Sequence, residues 1–309
     1  AWAAATPSGH AAAAPGRGGG GDPPEDEGIA MTLGRETGSA LFIGNATLLI
    51  RYGGFTILTD PNFLPRGRRA YLGYGLTTKR RTEPALGVHR LPPIDVIVLS
   101  HVHGDHWDRV ARRGLDPKTP VVTTPQAARV LARQGFATSV GLEPWESHRL
   151  YGPGGTLTIT AVPARHAPWP AHRLLPPVMG SVLTFTDELG EVTLRLLISG
   201  DTLLDRELAE IPRRFPDLDL GIVHLGGTRL LRLLPASMTG REGARWVTAM
   251  RPRRVLPVHF DDYTVFRSPL ADFRREIERT PYAGRVVYLD RGESVELTPR
   301  PSAAQPQPG

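Results

Sequence analysis

Within the nine residues Ser100-His101-Val102-His103-Gly104-Asp105-His106-Trp107-Asp108, three imidazoles and two carboxylates crowd together directly behind an apolar run. That run, Ile94-Asp95-Val96-Ile97-Val98-Leu99, is β-branched and lacks helical spacing, so it reads as a buried strand that carries the cluster to a sheet edge. Side chains two apart on an extended segment point the same way, which lets His101 and His103 grip one ion. Gly104 is expected to let the backbone turn. Asp105 and His106, at the start of a predicted helix, then face a second ion beside the first. The alternative, three solvated surface histidines, has to be weighed against the rest of the chain.

The first 37 residues are dominated by Ala, Gly and Pro, with an acidic patch at Asp22, Glu25, Asp26 and Glu27, and residues 299–309 are similarly poor in apolar side chains. Both tails are expected to be disordered. Residues 38–298 between them are rich in Val, Ile and Leu, enough for one large core or for two similar halves sharing one. No apolar stretch reaches the ~20 residues of a membrane span, and no signal peptide is recognisable. The expected location is the cytoplasm, with an exported form the alternative if a leader was removed before Ala1. The absence of Cys excludes disulfides and thiolate metal ligands. The net charge of +6 comes almost wholly from Arg, with Lys79 and Lys118 the exceptions, and reads as coding bias rather than as the mark of an anionic partner. Basic and aromatic residues do not interleave as in nucleic-acid modules, so no nucleic-acid partner is expected.

Gly38 to Phe42, Thr47 to Arg51 and Phe55 to Thr59 are short β-rich runs, with Tyr52-Gly53-Gly54 a hairpin signal and Asp60-Pro61 a stop. Residues Asn62 to Pro93 read as a long irregular segment carrying several Arg and the aromatics Phe63, Tyr71 and Tyr74. It is either a wall of a substrate cleft or a solvated basic loop. Helices are predicted over Trp107 to Arg113, Pro125 to Gln134, Leu203 to Glu210, Gly240 to Met250 and Pro269 to Arg279. Strands are predicted over Pro120 to Thr123, Leu157 to Val162, Ser181 to Phe185, Glu191 to Ile198, Leu218 to Val223, Val255 to Val258 and Val286 to Leu289. Meander strands followed by alternating strands and helices imply an α/β fold of two mixed sheets with helices outside.

Three later strand ends each carry one residue able to bind a metal: His166 after Ile159–Arg165, Asp201 after Leu196–Gly200, and His259 after Val255–Val258. With these on the page, the chain resembles the metallo-β-lactamase superfold. The motifs SHVHGDH, PARH, SGDT and PVHF follow in order behind the entry NATLLIRYGGFTILTDPNF, and the similarity runs from about Gly38 to Leu297. The LLIRYGGFTILTDP, DHWD and SGDT segments are most similar to the branch of ascorbate-phosphate lactonases and N-acyl-phosphatidylethanolamine phospholipase D.

The resemblance implies an αββα sandwich in which two mixed β-sheets pack face to face. It implies that His101, His103 and His166 hold one metal, that Asp105, His106 and His259 hold the other, and that Asp201 bridges. Nitrogen and oxygen ligands without sulfur suit two Zn ions first, with Mn or Fe accepted. The implied activity is that of a dinuclear hydrolase in which a metal-bridging hydroxide, oriented by Asp105, attacks a phosphodiester, ester or lactone bond. The substrate expected is a small or lipid-like molecule, with phosphate-bearing ones favoured. The absence of Cys and the carboxylate at Asp201 argue against antibiotic hydrolysis, and His103, where flavodiiron reductases carry Glu, argues against redox chemistry. A mononuclear iron oxygenase and a non-catalytic binding protein remain the alternatives.

Asp108 is expected to hydrogen-bond a ligand imidazole, because ligating histidines usually donate their second N–H to a carboxylate or carbonyl. His224, at a strand end, is a candidate general acid or substrate contact, or else a structural histidine. His172 is a candidate for the cleft lining. Arg229–Pro235, apolar and basic together, reads as a packed loop rather than a lipid-facing lip.

Overall fold

Alternation of apolar residues along the strands decides how the chain layers, and a computed structural model describes residues 38–230 and 234–300. Both expected tails, apart from Pro299 and Arg300, and residues 231–233 of the Arg229–Pro235 segment lie outside these residues. The chain opens with a meander of β1 (Gly38–Gly44), β2 (Thr47–Tyr52) and β3 (Phe55–Thr59), followed by a hairpin of β4 (Arg69–Gly73) and β5 (Leu76–Lys79). Next come β6 (Val96–Val98), α1 (Arg109–Gly114), β7 (Val121–Thr123), α2 (Pro125–Arg133) and β8 (Val140–Gly141). Four strands follow, β9 (Ser147–Gly152), β10 (Gly155–Pro163), β11 (Met179–Thr186) and β12 (Val192–Ile198). The last part holds α3 (Glu210–Arg214), β13 (Leu220–His224), β14 (Arg229–Leu230), β15 (Leu234–Pro235), α4 (Gly240–Met250), β16 (Arg254–Val258), α5 (Leu270–Ile277) and β17 (Ser294–Glu296).

One sheet has the order β17-β1-β2-β3-β6-β7-β8 and the other β16-β13-β12-β11-β10-β9. Each mixes antiparallel and parallel pairs, as expected. Their inner faces share one core, where Phe42, Ile50, Ile57 and Val98 of the first sheet meet Leu157, Leu183, Ile198 and Leu256 of the second. Because side chains alternate along a strand, Leu196 points into this core while Leu197 joins an outer one with Trp246 and Val247 of α4 and Phe273 and Ile277 of α5. That is why Leu196–Ile198 of β12 and Val255–Val258 of β16 read as unbroken apolar runs: both faces of the second sheet are covered there. α4 starts where the sequence says it should, since Thr239 and Glu242 cap each other's backbone N–H groups. It ends at Arg251, which takes a left-handed φ of 55°.

Several expectations needed correction. The Asn62–Pro93 segment is not irregular throughout, because β4 and β5 form a hairpin in which Ala70 and Leu72 are buried and their neighbours are not. Nor is its charge all solvated: Arg80 is fully buried, 3.4 Å from the carboxylate of Asp262. Leu203–Glu210 is a short 3-10 turn at Arg206–Ala209 leading into α3. Val286 makes a single bridge to Val255 in place of the predicted strand, and β17 closes the first sheet instead. Arg300, placed in a tail by composition, is anchored by its backbone N–H to Thr193 and by its guanidinium to Asp219.

Candidate metal centre

Parallel strands share one C-terminal edge, and this is what gathers the site. In the second sheet β10, β12, β13 and β16 all run the same way, so His166, Asp201, His224 and His259 emerge together. β6 of the first sheet delivers the Ser100–Asp108 loop to them. The seven predicted ligands converge, and none is more than 5 % exposed.

They form two adjoining clusters. Nε2 of His101 lies 3.0 Å from Nδ1 of His103, which lies 3.2 Å from Nε2 of His166. Beside them, Nε2 of His106 is 3.9 Å from Asp105 Oδ2, and Nε2 of His259 is 3.5 Å from the same oxygen. Asp201 stands between the clusters. Its Oδ2 is 3.4 Å from His106 Nε2, its Oδ1 is 3.3 Å from His259 Nδ1, and its carboxylate groups with His101 and His106 within 4.8 Å.

This arrangement fits divalent cations. Burial, reinforced by neighbouring imidazoles, lowers the pKa of His101, His103 and His166, that of His103 to about 3, so their converging nitrogens offer lone pairs. In the second cluster burial disfavours charge on His106, but Asp201, Asp60 and Asp105 outweigh it and hold the imidazole well above the usual range. Burial likewise opposes the charge on Asp201, yet His259 and His106 keep that carboxyl well below its ordinary value. Among the described residues Asp105 Oδ1, Asp201 Oδ1, His106 Nε2 and His259 Nε2 have no hydrogen-bond partner. The carboxylate oxygens left open in this way call for a cation.

Two supporting roles differ from expectation. Asp108 touches no histidine. One of its oxygens accepts the N–H groups of Val110 and Ala111 as the N-cap of α1, and the other accepts those of Phe63, Leu64 and the Asn62 side chain. The carboxylate that meets the imidazoles is Asp60, which sequence reasoning took for a turn residue. Its Oδ2 lies 3.1 Å from His106 Nδ1 and accepts the hydroxyl of Ser100, which in turn lies 3.0 Å from His101 Nδ1. Burial opposes charge on Asp60, but His106 and His224 prevail and hold its pKa at about 2. His224, a candidate general acid, substrate contact or structural histidine, adjoins the same carboxylate: it is 1 % exposed, with Nδ1 3.2 Å from Ser199 Oγ and Nε2 3.5 Å from Asp60 Oδ2.

Asn45 is a second omission. Its side chain donates to the Asp105 carbonyl at 2.6 Å, its own carbonyl accepts the His259 N–H at 2.9 Å, and its N–H reaches Asp262 at 2.8 Å. Asn45, Asp60 and His259 all have positive φ, 54°, 35° and 62°. Such backbone is uncommon outside glycine and persists where surroundings impose it. Gly104 is needed for closeness rather than for turning: its N–H donates to the Tyr71 carbonyl at 2.8 Å, and a Cβ there would lie 2.7 Å from the Tyr71 nitrogen.

Comparison with known proteins shows which family and fold the chain shares. The model of a family described as the beta-lactamase superfamily domain matches residues 56–260. A "UPF0173 metal-dependent hydrolase" of Deinococcus radiodurans is 29 % identical over 204 residues, covering 65 % of this chain and 79 % of that protein. An N-acyl-phosphatidylethanolamine-hydrolyzing phospholipase D of Caenorhabditis elegans is 25 % identical over 283 residues, covering 84 % of this chain and 76 % of that protein. Among solved structures, an isothiocyanate hydrolase from Delia radicum gut bacteria superposes with a TM-score of 0.70 at 19 % identity, over 84 % of this chain and 99 % of that one. A metallo hydrolase of the archaeon Ignicoccus hospitalis gives 0.60 at 20 % identity, over 84 % and 98 %.

Proposed function

The chain belongs to the β-lactamase superfamily, and from that premise we propose that it is a dinuclear metal-dependent hydrolase of phosphodiester, ester or lactone bonds. The observation that carries the reading is the pair of adjoining buried donor clusters with Asp201 between them. His101, His103 and His166 would hold one ion and Asp105, His106 and His259 the other. Zn suits this sulfur-free set first, and Mn or Fe(II) is accepted by the same groups. Two divalent ions held there would supply a lowered pKa for water and polarisation of the oxygen of the bond to be cut.

The chain's own residues set the stage for that chemistry. Asp105 and Asp201 bring negative charge that offsets the cations, and Asp105 is the carboxylate suited to orient the attacking water. Asp60 fixes the ring of His106 directly and that of His101 through Ser100, which sets the tautomer each presents. Asn45 ties the Asp105 loop to the backbone of His259, so ligands from opposite sheets keep their spacing.

Relatives that include a metal-dependent hydrolase and an N-acyl-phosphatidylethanolamine-hydrolyzing phospholipase D support a small or lipid-like substrate. Among the described residues no helix is long and apolar enough to cross a membrane. The test is hydrolysis of bis-p-nitrophenyl phosphate and p-nitrophenyl acetate by protein stripped with chelator and reloaded with Zn or Mn. Activity is expected only after reloading, and His103→Ala and Asp201→Ala are expected to lose it while remaining folded. Full activity in the stripped protein or in either variant contradicts the reading.

A further inference from the structure

His166 turns Nε2 toward His103 and leaves its other ring nitrogen, Nδ1, buried without a hydrogen-bond partner among the described residues. A metal-binding imidazole ordinarily donates that second N–H. Three of its neighbours have a partner for theirs, His101 in Ser100 Oγ, His106 in Asp60 and His259 in the Leu225 carbonyl, whereas Nε2 of His103 is, like Nδ1 of His166, buried without one among the described residues. His166 instead lines a cavity of about 600 Å³, a size that suits a small organic ligand.

The rest of that cavity is built for negative charge. His172 also lines it, and its Nδ1 is likewise buried and unpartnered among the described residues. Arg165 and Glu207 in the wall neutralise each other at 3.1 Å, and Arg165 is further held by Asp205 at 2.8 Å. Arg129 and Arg173 then face a single remaining carboxylate, Glu143. The N-terminal turn of α2 borders the same space through Thr124, Pro125 and Gln126, adding the positive end of a nine-residue helix.

We infer that this cavity seats an anionic oxygen group, carboxylate or phosphate, at one end of the substrate. The group takes a hydrogen bond from His172 and the charge of Arg129 and Arg173. The inference rests on the hydrolase reading only for its kinetic consequence.

The test uses metal-loaded wild type, His172→Ala, Arg129→Ala and the control Arg133→Ala, which lies on the same helix outside the cavity. Calorimetric titration with succinate and with glycerol 1-phosphate separates the two sources of the anion. Loss of one charge-assisted hydrogen bond weakens binding about tenfold, so His172→Ala and Arg129→Ala should each lose about that much for at least one probe, and Arg133→Ala nothing. With p-nitrophenyl hemisuccinate the same two variants should raise KM and leave kcat unchanged, while KM for uncharged p-nitrophenyl butyrate stays put. Equal affinity in all four proteins, or no binding of either probe by wild type, overturns the inference. Binding that follows the variants without turnover of either ester upholds the anion site and counts against the hydrolase reading instead.

Discussion

Oδ2 of Asp60 lies 3.1 Å from Nδ1 of His106, and through Ser100 the same carboxylate reaches His101. One side chain at the end of β3 thus steadies an imidazole in each of the two clusters. The Asp60 carboxylate also accepts the Ser100 N–H at 2.7 Å, so it fixes the start of the loop as well as the rings it carries. Replacing Asp60 by Asn keeps the shape but removes the charge that His106 faces. Metal affinity measured by competition with a chromophoric chelator should fall about 10–100-fold, with the far-ultraviolet circular dichroism spectrum retained. Unchanged affinity would assign Asp60 to the turn alone.

Asp108 makes the opposite prediction. Its oxygens take five donors, four of them backbone N–H groups, none from an imidazole. Asp108→Ala removes a helix cap and strands buried donors, so urea unfolding should show a loss of about 2–4 kcal/mol. The number of metal ions bound per folded chain should not change. A stable variant with reduced metal content would place Asp108 in the metal support after all.

A buried charge network centred on Asp262 adjoins the site through Asn45. Asp262 accepts from Asn45, Thr82, Arg80 and Arg291, and although burial opposes its charge, Arg291 and Arg80 hold its carboxyl below the ordinary value. A depressed folded-state pKa stabilises the protein above the unfolded value of about 3.9, and that contribution disappears as pH falls through the lower folded value. Asp262→Asn leaves Arg80 buried beside a neutral group, so it should cost about 3–5 kcal/mol at pH 7. The gap in melting temperature between wild type and variant should narrow below pH 4. A gap that is constant from pH 7 to pH 3 contradicts the assignment.

Gly104 meets the backbone of Tyr71 too closely for a side chain. Gly104→Ala must push the β4–β5 hairpin away from the metal loop or shift the loop itself. A displacement of ~1 Å at a catalytic group costs on the order of a hundredfold in rate, so kcat should fall by about that factor. Activity equal to wild type would show that the hairpin yields freely.

The convergence of the seven candidate ligands could be expected from the residues because each follows an apolar run long enough to be a strand, and parallel strands bring their ends to one edge. Asp60 was hidden by its own sequence: Asp before Pro is an ordinary turn signal, and its partners His106 and His101 lie more than forty residues away. Asp108 misled for the converse reason, since proximity along the chain to three histidines does not survive the turn into α1. The β4–β5 hairpin was missed because Tyr71 and Tyr74 are exposed, so its alternation carries little apolar contrast. Asn45 shows no chemistry in one dimension; only its left-handed backbone and distant partners mark it.

The dinuclear reading, in which each cluster beside Asp201 would hold one ion, is tested most directly by metal content per folded chain, measured by plasma mass spectrometry in wild type, His103→Ala and His106→Ala. It predicts about two divalent ions in wild type and one in each single variant, with loss of hydrolysis in both. One ion in the wild type, unchanged by one of the two substitutions, would contradict it.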